Sequence, residues 1–180
     1  MNEQSFLRSG ETVLWQGKTK PFGVLDGKDG KAILKQWIIG AVIVLGLIAV
    51  YYAGARQPSA LPGCTLLAVL AAMIVIPFVE HGSILGQRYY LTSERAVLVH
   101  GKRVSAMERA DIDVCRAFER ADGSTTLAFG EEVCDAGEKS LRHYGLYPAT
   151  TLDENGKTRV TGMSFFGVDR AQEFLELMKR

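Results

Sequence analysis

Four basic residues in the second half of the chain have side chains suited to binding an anion: Arg88, Arg95, Lys102 and Arg103. They follow a long apolar segment, so a membrane surface would lie within their reach. Each basic side chain near an anionic lipid surface contributes about 1 kcal/mol to binding. The pattern therefore predicts contact with lipid headgroups or with a partner, and the simpler alternative is an ordinary solvated strand face.

Thr92 and Arg95 can also have structural roles. A threonine hydroxyl in a turn bonds nearby backbone groups, so Thr92 is expected to fix the turn that it begins. Arg95 is expected to pair with Glu94 or Asp111. In these roles both residues would shape the fold rather than bind a ligand.

Nucleophilic and metal chemistry have no matching motif in the sequence. The cysteines and histidines are far apart, with no CxxC pair and no zinc-ligand spacing: Cys64, Cys115, Cys134, His81, His100 and His143. We predict no catalytic residue, no metal site and no cofactor. A small membrane enzyme using Cys134 or the acidic residues near Glu132 is the weakest alternative. A disulfide between Cys115 and Cys134 stays open.

The charge of the whole chain gives no reason to expect a nucleic acid partner. The 180 residues carry 21 basic and 20 acidic side chains, and the net charge is +1. No basic run or basic stripe stands out. Nearly all of these charges lie outside residues 37–79, so the two parts of the chain are interpreted separately.

Residues 37–55 and 61–79 are two runs of 19 residues without a charge. As helices they would each span about 28 Å, close to the thickness of the hydrocarbon layer. The five residues between them require antiparallel neighbours. Trp37 begins the first run, and Tyr51 and Tyr52 lie near its end, where aromatic rings favour the membrane interface. The sequence predicts a transmembrane helical hairpin; a buried hairpin in a soluble protein and a cleaved signal peptide fit the pattern poorly.

Basic residues predict the orientation of this hairpin. Six precede the first run, four closely follow the second, and the connecting loop has only Arg56. The positive-inside rule then places both termini in the cytoplasm. We expect a multi-pass protein of the cell membrane.

Residues 82–180 predict a soluble domain of short strands closed by a helix. The expected strands cover residues 87–91, 95–100, 103–107, 112–120, 125–129 and 159–165, with an irregular stretch at 131–148 and a turn at 153–156. Asp169 is the expected N-cap of the last helix, with Gln172 three residues on. An apolar stripe on this helix would close a roll or small barrel: Ala171, Phe174, Leu175 and Met178.

The leader, residues 1–36, contains one further segment with strand character. It covers residues 12–17 and includes Trp15, a large apolar residue in polar surroundings. Trp15 would pack on the soluble domain or lie at the membrane surface. The first arrangement is favoured by the residue pattern.

Three motifs resemble those of bacterial membrane-anchored proteins with a PH-like domain. Gly10-Glu-Thr-Val-Leu-Trp-Gln-Gly17 is similar to the opening motif of that family, and Tyr90-Leu-Thr-Ser-Glu-Arg95 to its signature after the second span. Gly162-Met-Ser-Phe-Phe-Gly167 and the last helix resemble its closing strand and helix. The resemblance implies an α+β fold in which a bent antiparallel sheet is closed by the C-terminal helix. It implies neither phosphoinositide binding nor catalysis, and residues 131–155 depart from it as an insertion.

Together these observations predict a non-catalytic, membrane-anchored PH-like module for protein or lipid interaction at the cytoplasmic face. Its expected partners are the bilayer and either another protein or a second copy of the chain. The alternative is an accessory subunit of a membrane transport or envelope complex, in which the two spans form the interface.

Overall fold

The computed structural model describes residues 6–25, 27–136, 138–153 and 156–179. The chain divides into two compact units. The helical unit is Phe22–Gly82, and the β-unit combines Met1–Pro21 with Ser83–Arg180.

The helical unit is a hairpin of two long apolar helices, α1 (Gly27–Gly54) and α2 (Ala60–Leu85). Both are long and apolar enough to cross a membrane, with a mean hydropathy of 2.3 in each candidate span. They extend beyond the predicted runs because the flanking polar residues, such as Lys31 and Lys35, are good helix formers. Only 17% and 6% of the two apolar windows are buried, so most of their side chains face outward.

The two helices are joined by a tight connection that has its own hydrogen bonds. The backbone N–H of Ser59 donates to the hydroxyl of Tyr51 (3.1 Å), and the hydroxyl of Tyr52 donates to the carbonyl of Ser59 (3.2 Å). Gly63 is buried against Tyr52, whose hydroxyl would lie 3.1 Å from a Cβ at that position. The small size of Gly63 therefore allows close contact with Tyr52 within the hairpin.

The first sheet of the β-unit contains β1 (Val13–Lys18), β2 (Gln87–Thr92), β3 (Arg95–His100) and β4 (Arg103–Glu108). All neighbours are antiparallel, and their order is β1-β2-β3-β4. The leader therefore contributes an edge strand to the domain that follows the hairpin, which confirms the favoured interpretation of residues 12–17. Trp15 is buried in the core.

The second sheet contains β5 (Cys115–Glu119), β6 (Thr125–Phe129), β7 (Ala149–Leu152) and β8 (Thr158–Val168), in the order β5-β6-β8-β7. A bridge between Thr19 and Val168 links it to the first sheet, and the N–H of Lys20 donates to the carbonyl of Gly167 (2.7 Å). Gly167 has φ +64°, and a Cβ there would lie 2.2 Å from the Lys20 oxygen. Only glycine permits this close approach of the two chain segments.

Aromatic rings from both sheets and from the last helix, α5 (Ala171–Met178), form the main core. Phe174 of α5 packs edge-on against Trp15 (5.1 Å between centroids) and against Phe165 (5.7 Å). The predicted apolar stripe is confirmed, because Ala171 and Phe174 are buried and Leu175 and Met178 are packed against this core. The β-unit is thus two four-stranded antiparallel sheets with a C-terminal helix.

The predicted N-cap of this helix is wrong. The N-cap residue is Arg170 rather than Asp169, and among the described residues no side chain caps the first turn. The helix begins one residue later than predicted because β8 continues to Val168, next to Asp169.

The predicted irregular stretch at 131–148 is also wrong, since it forms α3 (Glu131–Asp135) and α4 (Glu138–Leu146). α3 has only five residues, too few to show a helical period, and α4 contains few apolar residues that could mark one. They are held by a second apolar cluster of Ala128, Val133, Cys134 and Leu141. The expected turn at 153–156 joins β7 to β8, but Glu154 and Asn155 lie outside the described residues.

Candidate functional site

The first sheet has one face on the main core and an opposite face, here called the outer face. Side chains alternate between the two faces along each strand. The register therefore places these residues on the outer face: Gln16, Lys18, Arg88, Tyr90, Thr92, Arg95, Val97, Val99, Val104, Ala106 and Glu108. Three of these are basic, and the structure separates them into two different environments. The two ends of the first sheet are therefore described in turn.

At one end, Arg95 and Glu11 form a buried ion pair. Arg95 Nε donates to Glu11 Oε1 and Arg95 Nη2 donates to Glu11 Oε2, both at 2.8 Å. The side chains are 10% and 0% exposed. The hydroxyl of Thr92 lies 2.6 Å from Glu11 Oε1, and Arg95 Nη2 also donates to the carbonyl of Phe6 (2.7 Å). This end, called the sealed end, therefore holds a fully partnered charge pair.

The hydrogen bond from Arg95 keeps Glu11 ionised. It lowers the pKa of the Glu11 carboxyl to about 2, although burial acts in the opposite direction. The backbone N–H of Arg8 and the hydroxyl of Thr92 lower this pKa further. At neutral pH the pair is a carboxylate and a guanidinium.

The expected pairing of Arg95 with Glu94 or Asp111 is wrong. Glu94 lies 3.6 Å from Arg8 instead, and Asp111 pairs with Arg159. The true partner comes from the leader, because β1 and the residues just before it lie beside β2 and its turn. The expectation for Thr92 is confirmed, since its hydroxyl accepts from the N–H groups of Glu94 (3.3 Å) and Arg95 (3.0 Å).

The residues that precede β1 also cover the apolar part of the sealed end. The ring of Phe6 packs on Tyr90 with 4.6 Å between centroids. Tyr90 is 4% exposed and Val97 is fully buried. Arg95 consequently lies in the interior, away from any ligand in solution.

The opposite end of the same sheet, called the basic end, holds the other three predicted site residues. Arg88 on β2 and Lys102 and Arg103 at the β3–β4 turn are all exposed. The turn lies at the far end of β3 from Arg95, about 17 Å away at the usual rise of a strand. The structure therefore places three of the four predicted residues at one end of the sheet. By the register, Arg88 lies on the outer face, whereas Arg103 pairs with His100 in the next row and has the opposite orientation.

Lys18 is a member of the basic end that the sequence did not identify. It is exposed and lies directly opposite Arg88 across the β1–β2 pair, where side chains are about 5 Å apart. Val99 and Val104 continue the same row across the sheet. Lys18 could have been identified only from the register between β1 and β2, two strands about 70 residues apart in the chain. A local sequence pattern does not reveal such a register.

The basic end includes the first residues of β2, which come directly after α2 in the chain. Gln87, the first residue of β2, follows Leu85 of α2 after one glycine. Gln87 is buried; its Nε2 donates to the carbonyl of Gly145 on α4 (2.7 Å), and its Oε1 accepts from the hydroxyl of Tyr89 (2.7 Å). These bonds fix the start of β2, and with it the position of Arg88.

The two cysteines of the β-unit are poorly suited to nucleophilic chemistry. Burial raises the pKa of Cys115 to about 12 and also raises that of Cys134, so both stay protonated at neutral pH. Both are free thiols, and they pack in different clusters, Cys115 on the main core and Cys134 on the second. Within the part of the chain that the structure describes, no three His, Cys, Asp or Glu side chains converge on a metal position.

No protein-family model, curated protein or solved structure matches the chain. Two of its sequence motifs nevertheless meet in the fold, since Glu11 of the first binds Thr92 and Arg95 of the second. These motif residues therefore hold the residues before β1 against β2 and β3, and the exposed basic end remains as the candidate functional site.

Proposed function

We propose that the chain is a non-catalytic, membrane-anchored module with a PH-like domain. The helical unit spans the membrane as a hairpin, and the β-unit stands at the cytoplasmic face. There the basic end contacts anionic lipid headgroups.

The outward-facing apolar surface of the helical unit carries this proposal. Val42, Val50 and Leu61 are 67%, 73% and 73% exposed, and they belong to runs with no charge. Soluble monomers rarely expose contiguous apolar patches above a few hundred Å². Lipid is the solvent that suits such a surface on helices of this length.

The β-unit supports the PH-like interpretation by its architecture. Two four-stranded antiparallel sheets are joined at one corner, and α5 places Phe174 in the core between them. The helices α3 and α4 and the strand β7 lie within residues 131–155, the stretch that departs from the family motifs. This stretch adds β7 as an edge strand beside β8.

The distribution of charge supports both the orientation and the ligand. Six basic residues precede the first apolar run and one lies in the connecting loop, so the positive-inside rule favours cytoplasmic termini. Lys18, Arg88, Lys102 and Arg103 would together gain about 4 kcal/mol at an anionic surface. Val104, 47% exposed beside them, adds the apolar component typical of surfaces that bind at the headgroup boundary.

The anchoring part of the proposal is tested by fractionation and by a reporter. The full chain should remain in the membrane pellet after alkaline carbonate and dissolve only with detergent. A reporter fused after the C-terminus should be active only in the cytoplasm. Recovery in the carbonate supernatant, or a reporter active outside, would contradict it.

The lipid part is tested by hydrogen exchange of the full chain in nanodiscs. Residues 99–104 should exchange more slowly in discs with anionic lipid than in neutral discs. Arg88→Glu with Arg103→Glu should abolish this difference, whereas Lys157→Glu with Lys179→Glu, exposed basic residues elsewhere, should preserve it. Equal exchange in both kinds of disc would reject lipid binding and leave a protein partner as the ligand of the basic end.

A further inference from the structure

Pro77 leaves one carbonyl of α2 without a hydrogen bond inside its own helix. In an α-helix the N–H of each residue bonds the carbonyl four residues earlier. Proline has no N–H, and its ring pushes that carbonyl outward. The carbonyl affected by Pro77 is that of Met73, and in hydrocarbon an unsatisfied carbonyl costs several kcal/mol.

Trp37 of α1 supplies the missing donor. Its indole Nε1 donates to the carbonyl oxygen of Met73 at 3.0 Å. The same ring stacks on Phe78, with 5.9 Å between centroids and 26° between planes. Trp37 therefore contacts the residues on both sides of Pro77, beyond the interface role that its residue type predicts.

Gly40 provides a second contact to the same residue of α2. It lies one helical turn after Trp37, on the same face of α1. A Cβ at Gly40 would lie 2.7 Å from Met73 Cε and 3.3 Å from Met73 Sδ. The backbone of Met73 is thus bound by Trp37, and its side chain occupies the space that Gly40 leaves.

We propose that Trp37, Met73 and Pro77 form a lock that fixes the register and rotation of α1 against α2. The proline exposes a single carbonyl, and the indole carries a single donor. Only one alignment of α1 and α2 brings this donor to this carbonyl. The hydrogen bond therefore specifies how the two helices pair, in addition to their apolar packing. The lock lies within the helical unit, and it holds whether or not the basic end binds lipid.

The hydrogen bond itself is tested on the unmodified chain in detergent micelles by NMR of the indole groups. The chain has two tryptophans, and Trp15 Nε1 is buried with no acceptor among the described residues. The indole proton of Trp37 should therefore resonate downfield of that of Trp15. Replacing either ring by phenylalanine assigns both signals, and the reverse order would overturn the proposal.

The role of Pro77 is tested by a double-mutant cycle on the same chain. A fluorophore pair at Leu34→Cys and Val79→Cys, with the native cysteines replaced, would report separation of the helices during titration with SDS. Trp37→Phe should shift the equilibrium towards separation by about 3-fold to 15-fold, the range for hydrogen bonds between membrane helices. In a Pro77→Ala background the same change should have less than half this effect, because the alanine N–H restores the helical bond to the carbonyl of Met73.

Pro62 offers a matched control for this cycle. It lies in the first turn of α2, where its missing N–H leaves no helical carbonyl unpaired. Pro62→Ala should therefore leave the effect of Trp37→Phe unchanged. An effect of Trp37→Phe that is equal with proline and with alanine at position 77 would overturn the lock.

Discussion

The two ends of the first sheet are built from the same kinds of residue and differ in what covers them. At the sealed end, Arg95 is buried and is bound by a carboxylate and a backbone carbonyl. At the basic end, Lys18 and Arg103 are exposed on the same sheet. A basic residue on a strand thus acts as a structural or a surface group according to whether the residues that precede β1 cover it.

The reason for this difference is the path of the leader. The chain approaches β1 across the sealed end, where it brings Phe6 and Glu11, and it leaves β1 at Lys18, beside the basic end. Charge at the sealed end is matched because a buried, unpaired guanidinium is costly. At the basic end, Lys18, Lys102 and Arg103 are exposed to water.

Among the variants that test this comparison, Glu11→Gln should have the largest effect on stability. The change leaves Arg95 buried without a counter-charge, which typically costs about 3–5 kcal/mol. We expect a loss of this size in the free energy of unfolding, measured by urea titration of the full chain in detergent and followed by near-UV circular dichroism. Glu94→Gln is the matched control, since Glu94 is half exposed beside Arg8 and should cost less than about 1 kcal/mol.

A companion variant separates the charge from the shape of this pair. Glu11→Leu combined with Arg95→Met removes both charges and keeps apolar volume, so it should be less destabilising than Glu11→Gln alone. If the double variant is the worse of the two, the pair contributes through geometry that apolar packing does not replace.

Lowering the pH should have the second-largest effect on the stability that the sealed end contributes. The pKa of Glu11 is about 2 in the folded chain, below its ordinary value of 4.5. A lowered pKa stabilises the fold above the unfolded value, and this stability is lost as the pH falls from about 4.5 to about 2, in total about 3 kcal/mol. The slope of stability against pH in this window should be smaller in Glu11→Gln, and parallel curves for the two proteins would contradict the assignment.

Thr92→Val is expected to have an intermediate effect. It keeps the shape of a fully buried side chain but removes a hydroxyl that serves Glu11 and two backbone N–H groups. Such a loss typically costs about 1–3 kcal/mol. The same urea titration measures it, with Thr151→Val on the exposed part of β7 as a control that should stay within about 0.5 kcal/mol.

Much of the fold could be predicted from local pattern, and the partners of the site could not. The strand at 125–129 has the observed bounds, and the stripe on α5 was found from its spacing, because each depends on residues close in sequence. Glu11 as the partner of Arg95, and Lys18 as the neighbour of Arg88, depend on pairing across the whole hairpin. The helices α3 and α4 were missed because long-range packing, around residues such as Leu141, decides their structure.

The smallest expected effect belongs to the basic end. Lys18→Gln with Arg103→Gln removes two exposed charges and no buried contact, so the free energy of unfolding should change by less than about 0.5 kcal/mol. Lower repulsion in this basic cluster would make any change stabilising in low salt, and salt should diminish it because exposed charges are screened. The same variant should weaken protection of residues 99–104 in anionic nanodiscs, since those charges act on the lipid. A loss of more than about 1 kcal/mol would mean that these residues hold the fold, as Arg95 does, and the distinction between the two ends would then be wrong.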